Sequence, residues 1–407
     1  MKLLNKLFVI AGIAMSTSLV AQPAYIYYDD GIKKLDARDY IAATISFSTA
    51  ITKDKNNYKA YTERGHAYLL QNKPIDALKD FEQAIKLKND YAPTYLYRGD
   101  YYFKLKKYKE AIDDYNKATK YDATLPEPFA NKGFSYYELK QDADAIKSFD
   151  ESIRLLSKNL DMYVKQTELL CKAKRCNDAT VSIDKGLALN DVQPLLHYYN
   201  AQCMFDEQKY KEALVEVTKS IEQKKVDAST VTLRATCYEK LNMPEKALDD
   251  YNYMITILKT NTPEVFMKRG IALKLKKDYP NANKDFSKAI IKDFNNAKLY
   301  ELRAHTWLMQ NKKPQALVDY NKAIELDANN EPALFNRGTI LFEQNKFEKA
   351  IEDFTAAIRV KPTADGYYNR SKCYYKLNKK NESCADLQKA TDLGDKQAAK
   401  DKMSFCK

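Results

Sequence analysis

The sequence predicts an all-α protein, an α-solenoid of stacked helical hairpins. Three observations lead there. Gly65, Gly99 and Gly133 lie 34 residues apart, and a fixed period of that length marks a repeat architecture. Eleven copies of the period register along the chain, beginning at Ala24, Tyr58, Ala92, Pro126, Leu160, Pro194, Ala228, Pro263, Ala297, Glu331 and Ala364. Within each copy, small and apolar residues recur at helical spacing, at positions 4, 8 and 11 and again at 20, 24 and 27.

The first helix of each repeat carries the 4-8-11 stripe. Position 8 is small in every copy, and six of the ten glycines sit there, so glycine serves packing rather than loops. The second helix carries the 20-24-27 stripe. Position 20 is alanine in ten copies and Ser383 in the last. Position 24 is Phe47, Phe81, Tyr115, Phe149, Ile183, Val217, Tyr251, Phe286, Tyr320, Phe354 and Leu387. Small residues at 8 and 20 let the two helices approach, and the large residue at 24 fills the space beside them. Prolines mark the starts: Pro126, Pro194 and Pro263 open first helices, and Pro74, Pro244, Pro280 and Pro314 open second helices. A proline there forfeits no hydrogen bond that the helix would have made. The step from Ala228 to Pro263 is 35 residues and that from Glu331 to Ala364 is 33, both slips falling where a turn is expected.

The stretches "AYTERGHAYLLQNKPIDALKDFEQAIKLKND" and "ALFNRGTILFEQNKFEKAIEDFTAAIRVKP" resemble the tetratricopeptide repeat (TPR), a 34-residue helical hairpin. The resemblance covers nearly the whole chain after its N-terminal leader. Repeats five and six, Leu160 to Asp227, depart most, with Thr167 and Ala201 at position 8 and Gly186 and Ser220 at position 27. The resemblance implies a right-handed solenoid whose first helices line a concave groove, and a protein-binding scaffold rather than an enzyme.

Three segments follow. Residues 1–21 have Lys2 and Lys6, an apolar run from Leu7 to Met15 and small residues ending at Ala21, which reads as a secretory signal peptide. Residues 22–394 are the solenoid, and 395–407, after Gly394, a polar capping helix. The expected address is a bacterial envelope: exported, periplasmic or secreted, peripheral to a membrane rather than spanning it. The net charge of +12 is spread as interspersed Lys and Asp/Glu, a pattern of solvated helix faces. Export argues against a nucleic-acid partner.

Arg98-Gly99-Asp100 is the tripeptide of integrin ligands, but it falls at positions 7 to 9, inside a helix with its glycine packed. The arginine has another use. Wherever position 7 is Arg, position 23 is Asp: Arg64/Asp80, Arg98/Asp114, Arg234/Asp250, Arg269/Asp285, Arg303/Asp319, Arg337/Asp353 and Arg370/Asp386. Where the Arg is missing, so is the Asp, as in Lys132/Ser148 and Gln166/Ser182. This covariation within one chain predicts partly buried, two-pronged ion pairs.

The chain has seven cysteines. Cys203, Cys237 and Cys373 share position 10 and read as core thiols. Cys384 and Cys406 are placed to staple the capping helix, and Cys171 and Cys176 flank the turn of repeat five as a candidate bridge. His197 at position 4 reads as core, His66 and His305 at position 9 as surface. No catalytic constellation, metal-ligand spacing or phosphate loop is present in the sequence, so neither a cofactor nor a metal is expected. Three functions are weighed: a scaffold gripping a partner protein in the groove, a binder of cell-wall or envelope polymer, and, least, an enzyme.

Positions 5, 9 and 12 cluster about 100° around the first helix from its packed stripe. By the TPR resemblance this flank lines the groove. The Lys and Asn that clamp C-terminal carboxylates in some TPR proteins are absent. In their place stand Leu96, Phe103, Phe134, Tyr137, Tyr198 and Phe205, and a second group of Phe335, Phe342, Tyr368 and Tyr375. Aromatics exposed in a row are expected to anchor a partner segment.

Overall fold

The computed structural model describes residues 23–406. These residues form two compact units, which part between 178 and 179. Each is a run of α-helical hairpins, and the described residues form 23 helices in all. The leader 1–21 lies outside the described residues.

Each first helix opens on position 1 of its repeat, from Ala24–Asp36 to Ala364–Lys376. Each second helix opens on position 17, from Tyr40–Lys53 to Lys380–Asp392. Local chemistry sets these limits. Asn57, Asn159, Asp227 and Asn330, just ahead of first helices, turn side-chain oxygens onto backbone N–H groups of the first turn. Between the two helices of every repeat, position 15 adopts left-handed backbone, with φ between 56° and 64°. The amides around that residue then bond back to the closing turn, as Asn72 N does to Leu69 O at 3.1 Å and Lys73 N to Tyr68 O at 2.8 Å.

The core lies between the helices of each hairpin. All ten position-20 alanines are fully buried, and no position-24 side chain is more than 2 % exposed. The fit is close. A Cβ on Gly31, Gly65, Gly99, Gly133 or Gly270 would stand 2.4 to 2.6 Å from the position-24 ring of the same repeat. In repeats five and six position 8 grows to Thr167 or Ala201 and position 24 shrinks to Ile183 or Val217, whereas Ala235 and Ala304 share their cores with Tyr251 and Tyr320. The polar residues at position 27 also have a reason. Ser152 and Ser220 donate to the carbonyls of Pro126 and Pro194 at 2.9 and 2.7 Å, in two repeats that open on proline.

The last helix, Lys396–Phe405, follows Gly394, whose φ of +95° favours glycine, and is capped by Asp395. It docks through buried Ala398 and is stapled by the Cys384–Cys406 disulfide.

Candidate functional site on the inner face

First helices of neighbouring repeats pack on one another, as Tyr58–Leu70 does on Ala92–Lys104 and Ala297–Met309 on Glu331–Glu343. Their outer flank, positions 5, 9 and 12, therefore forms an inner face in each compact unit. The aromatics predicted there are not left bare. All but Tyr375 are half-buried. Position-12 rings meet the position-17 ring of their own hairpin edge-on: Phe103 on Tyr108, Phe205 on Tyr210 and Phe342 on Phe347, with centroids 5.2 to 5.5 Å apart. Phe134 and Phe335 lie edge-on to the core rings Phe149 and Phe354. Tyr137 donates to Glu168 at 2.8 Å and carries Lys165 over its ring. Leu96 is half-buried beside them in the first unit.

Two groove assignments are corrected. Tyr368 and Tyr375 face the capping helix: Tyr368 donates to Asp401 at 2.9 Å, and Tyr375 packs on Phe405 with centroids 4.8 Å apart. They hold the cap. Phe134 and Tyr137 belong to the first compact unit and Tyr198 and Phe205 to the second.

In the second unit the inner face opens. Ala228–Lys240 and Pro263–Leu275, the first helices of repeats seven and eight, lack the close packing seen between most neighbours. The loop joining the two repeats, 257–262, holds the extra residue of the 35-residue step. A cavity of about 430 Å³ results. Tyr198 and Phe205 form one wall, Val265 and Lys268 the other, and Thr260 and Thr262 of the loop its end. Buried Met254 is the floor. Thr232 and Thr236 line it too, but their hydroxyls are turned back onto Ala228 O and Thr232 O at 2.6 and 2.7 Å, which leaves mainly carbon facing the space. Lys225 lies over the Tyr198 ring, 4.6 Å from its centroid.

All seven position-7 arginines grip their aspartates with two prongs, Nε and Nη2. Arg64 donates to Asp80 at 2.7 and 2.8 Å, Arg98 to Asp114 at 2.6 and 2.8 Å, and Arg269 to Asp285 at 2.6 and 2.7 Å. Arg234 reaches Asp250 at 3.0 and 2.5 Å, and Arg303 reaches Asp319 at 2.7 and 2.8 Å. Arg337 reaches Asp353 at 2.8 and 2.6 Å, and Arg370 reaches Asp386 at 2.7 and 2.8 Å. The pairs are partly buried, as expected, and their two ends differ in depth. Only the arginines are partly covered. The carboxylates are buried outright: Asp114 and Asp285 are 2 % exposed, Asp250 and Asp319 4 %, Asp353 and Asp386 5 %, and Asp80 6 %. Position 23 precedes the position-24 core residue, and its short side chain is closed over by the guanidinium it holds. These residues tie the two helices of their own hairpin together.

The third arginine nitrogen crosses to the preceding repeat, which sequence reasoning missed. Nη1 of Arg64, Arg269, Arg303, Arg337 and Arg370 donates to Ser48, Asn252, Ser287, Asn321 and Thr355, each at position 25, at 2.8 to 3.0 Å. In repeat six, Glu216 receives His197 Nδ1, Asn200 and Lys219 instead. Burial pushes the Glu216 carboxyl up, and hydrogen bonds from Lys219 and His197 bring it below its ordinary value.

The Arg98-Gly99-Asp100 tripeptide is wholly engaged. Arg98 holds Asp114, Gly99 lies under the Tyr115 ring, and Asp100 accepts from Tyr115 and Asn131, both at 2.8 Å. His66 and His305 are half-buried rather than on the surface, because position 9 faces the neighbouring first helix; His66 lies flat on Tyr97, 3.9 Å between centroids. Cys203, Cys237 and Cys373 are buried, and burial pushes the Cys237 and Cys373 thiols up to about 11 and about 12. Cys171 and Cys176 keep separate thiols instead of bridging their turn: Cys171 is buried and Cys176 stands partly exposed at the start of its helix. Among the described residues no three His, Cys, Asp or Glu side chains are grouped to hold a metal, and no helix is long and apolar enough to cross a membrane.

Models described as TPR repeat and tetratricopeptide repeat match residues 58–91, 99–140, 332–363 and 364–394. The chain is a tetratricopeptide repeat protein. The TPR hairpin, with its small position 8 and alanine or serine at 20, accounts for all eleven repeats. No curated protein matches the sequence. Three solved structures illustrate the breadth of similar folds. YrrB, titled a TPR protein with an unusual peptide-binding site, is 20 % identical with a TM-score of 0.43, covering 46 % of this chain and 95 % of its own. The APC/C hetero-tetramer Cut9-Hcn1 is 11 % identical with a TM-score of 0.47, covering 95 % and 97 %. MamA is 20 % identical with a TM-score of 0.37, covering 40 % and 96 %.

Proposed function

We propose that this TPR protein is a non-enzymatic interaction scaffold of a bacterial envelope that holds a segment of a partner protein on the inner face of repeats six to eight. The cavity of about 430 Å³ carries the reading. It has the volume of a small recognition pocket, aromatic and aliphatic walls, and hydroxyls already committed to their own helix. That lining suits an apolar side chain projecting from a polypeptide better than a polymer rich in hydroxyls. Export rests on the leader 1–21.

The test is retention of envelope proteins on the immobilised chain, wild type against a Tyr198→Ala, Phe205→Ala double variant. A stoichiometric protein partner is expected with the wild type. The variant should bind about tenfold more weakly, since each lost anchor costs over about 1 kcal/mol. Binding that survives while the melting temperature collapses would make these rings core. Co-sedimentation with purified wall material and no protein partner would favour a polymer.

A further inference from the structure

The second compact unit holds another cavity, of about 290 Å³, with a different chemistry. It lies between the second helix of repeat seven, Pro244–Thr256, and both helices of repeat eight, Pro263–Leu275 and Tyr279–Lys292. It shares no lining residue with the inner-face cavity. Leu248 and Leu273 line it with carbon, and three cations, Arg269, Lys284 and Lys288, line it with positive charge. The carboxylate among its lining residues is already taken: Asp285 is 2 % exposed and held by both prongs of Arg269.

The two lysines are left without a counter-charge. Lys284 and Lys288 stand four residues apart on one helix, where like charges repel. Lys284 donates to the amide oxygen of Asn281 at 3.2 Å, and Lys288 lies over the Phe266 ring, 5.4 Å from its centroid. Neither meets a carboxylate among the described residues. Elsewhere the same place in the repeat is neutralised. Lys117, Lys219 and Lys322, at position 26 like Lys288, pair with Asp114, Glu216 and Glu325 at 3.5, 2.8 and 2.6 Å. Repeat eight alone of the eleven carries lysine at both positions 22 and 26. Across the repeat boundary, Asn252 gives its amide oxygen to Arg269 Nη1 at 3.0 Å. Its amide nitrogen, a donor with no partner among the described residues, is left on the cavity wall.

We propose that this cavity binds a phosphomonoester. Lys284 and Lys288 supply two positive charges to a group that carries about −1.5 to −2 at neutral pH. The Asn252 amide adds a neutral donor, and Leu248 and Leu273 meet the carbon of the ester. A carboxylate, with a single charge, would leave one lysine unmet. Arg269 and Asp285 keep their pairing throughout. The inference does not rest on the inner-face cavity of repeats six to eight.

The experiment is calorimetric titration of the full chain with sn-glycerol 3-phosphate, and with acetate at matched ionic strength. It is paired with flotation on phosphatidylcholine vesicles with and without phosphatidic acid. Saturable one-to-one binding of the phosphomonoester is expected, and none of acetate. Lys284→Gln with Lys288→Gln should weaken binding about tenfold or more. Both side chains are exposed, so the melting temperature should hold. Lys322→Gln removes a lysine from the same place in the next repeat, outside the cavity, and should change nothing. The Tyr198→Ala, Phe205→Ala variant should bind the ester like the wild type, so the two sites fail separately. Binding of free glycerol 3-phosphate assigns a small ester, and binding to phosphatidic acid vesicles alone assigns a lipid headgroup. Equal affinity in the double lysine variant, an equal loss in Lys322→Gln, acetate binding as tight as the ester, or no binding to either source overturns the proposal.

Discussion

Arg269→Met tests whether the repeated ion pair holds the stack together. Asp285 is 2 % exposed and receives Arg269 Nε and Nη2 at 2.6 and 2.7 Å. Removing the guanidinium leaves a buried carboxylate with neither donor, a loss of about 3–5 kcal/mol. It also cuts the Nη1 bond to Asn252 in repeat seven, worth about 1 kcal/mol more. Asp285→Leu alone strands the arginine, but its head can turn to water, so about 2 kcal/mol is expected. The double variant buries no unpaired charge and fills the space with carbon. It should be more stable than Arg269→Met, with a coupling of about 2 kcal/mol or more. The measurement is urea unfolding of the four proteins, with hydrogen exchange of the amides in 263–292 to localise the effect, because stacked repeats need not unfold as one. Coupling below about 0.5 kcal/mol would place the pair with solvent-exposed salt bridges and refute the argument.

Gly133→Ala sets a methyl group 2.4 Å from the Phe149 ring. Overpacking of about 1–3 kcal/mol should exceed the helix-propensity gain of about 1, so thermal unfolding should come earlier, and Phe149→Val should recover part of the loss. Asp227 accepts from Ser229, Thr230 and Lys225 at a helix start. Burial raises its carboxyl, but these bonds outweigh it and hold the group well below the ordinary carboxylate range. Its contribution is therefore full above the unfolded value near 4 and lost as pH falls through the lower folded value. Asp227→Ala should cost about 1 kcal/mol at neutral pH and flatten the acid limb of stability. Reducing Cys384–Cys406, which closes 22 residues, should remove roughly 3 kcal/mol from cap docking, read as faster hydrogen exchange in 396–405 with repeats one to four unchanged.

The hairpins were legible because positions 8, 20 and 24 encode one contact three ways. A glycine, an alanine and a ring at fixed spacing specify two helices at close approach, as Gly133, Ala145 and Phe149 do. The Arg/Asp pairs were legible because both partners vary together inside a single chain. Their depth was not: a charge pattern names Asp250 or Asp353 as a partner without telling that its arginine seals it from water. The third bond that five of the arginines make was hidden too, since Ser48, Asn252 and Thr355 at position 25 share only the ability to accept. So was the left-handed turn. Position 15 is Arg, Lys, Gln or Asn and never glycine, so the hairpin imposes a backbone that the residue types do not announce. For the inner-face aromatics a helical wheel gives direction but not depth. How far the next first helix covers Phe134, or the cap covers Tyr368, depends on neighbours that a wheel does not contain.

The departures from the repeat matter more for function than its regularity. A regular TPR hairpin fills itself: its position-24 ring occupies the space that small residues leave, and its first helix packs on the next. Repeat seven breaks this on the inner side. Positions 5 and 9 are Thr232 and Thr236 where repeat four has Ala130 and Phe134, and the residue added before Pro263 loosens the packing on repeat eight. Neither change disturbs the core, since Ala235, Ala247 and Tyr251 remain fully buried. The cavity is thus formed outside the stabilising contacts. Its walls could therefore change at little expense to the hairpins beneath, so that one repeated scaffold can carry an apolar pocket beside Tyr198 without loss of its core.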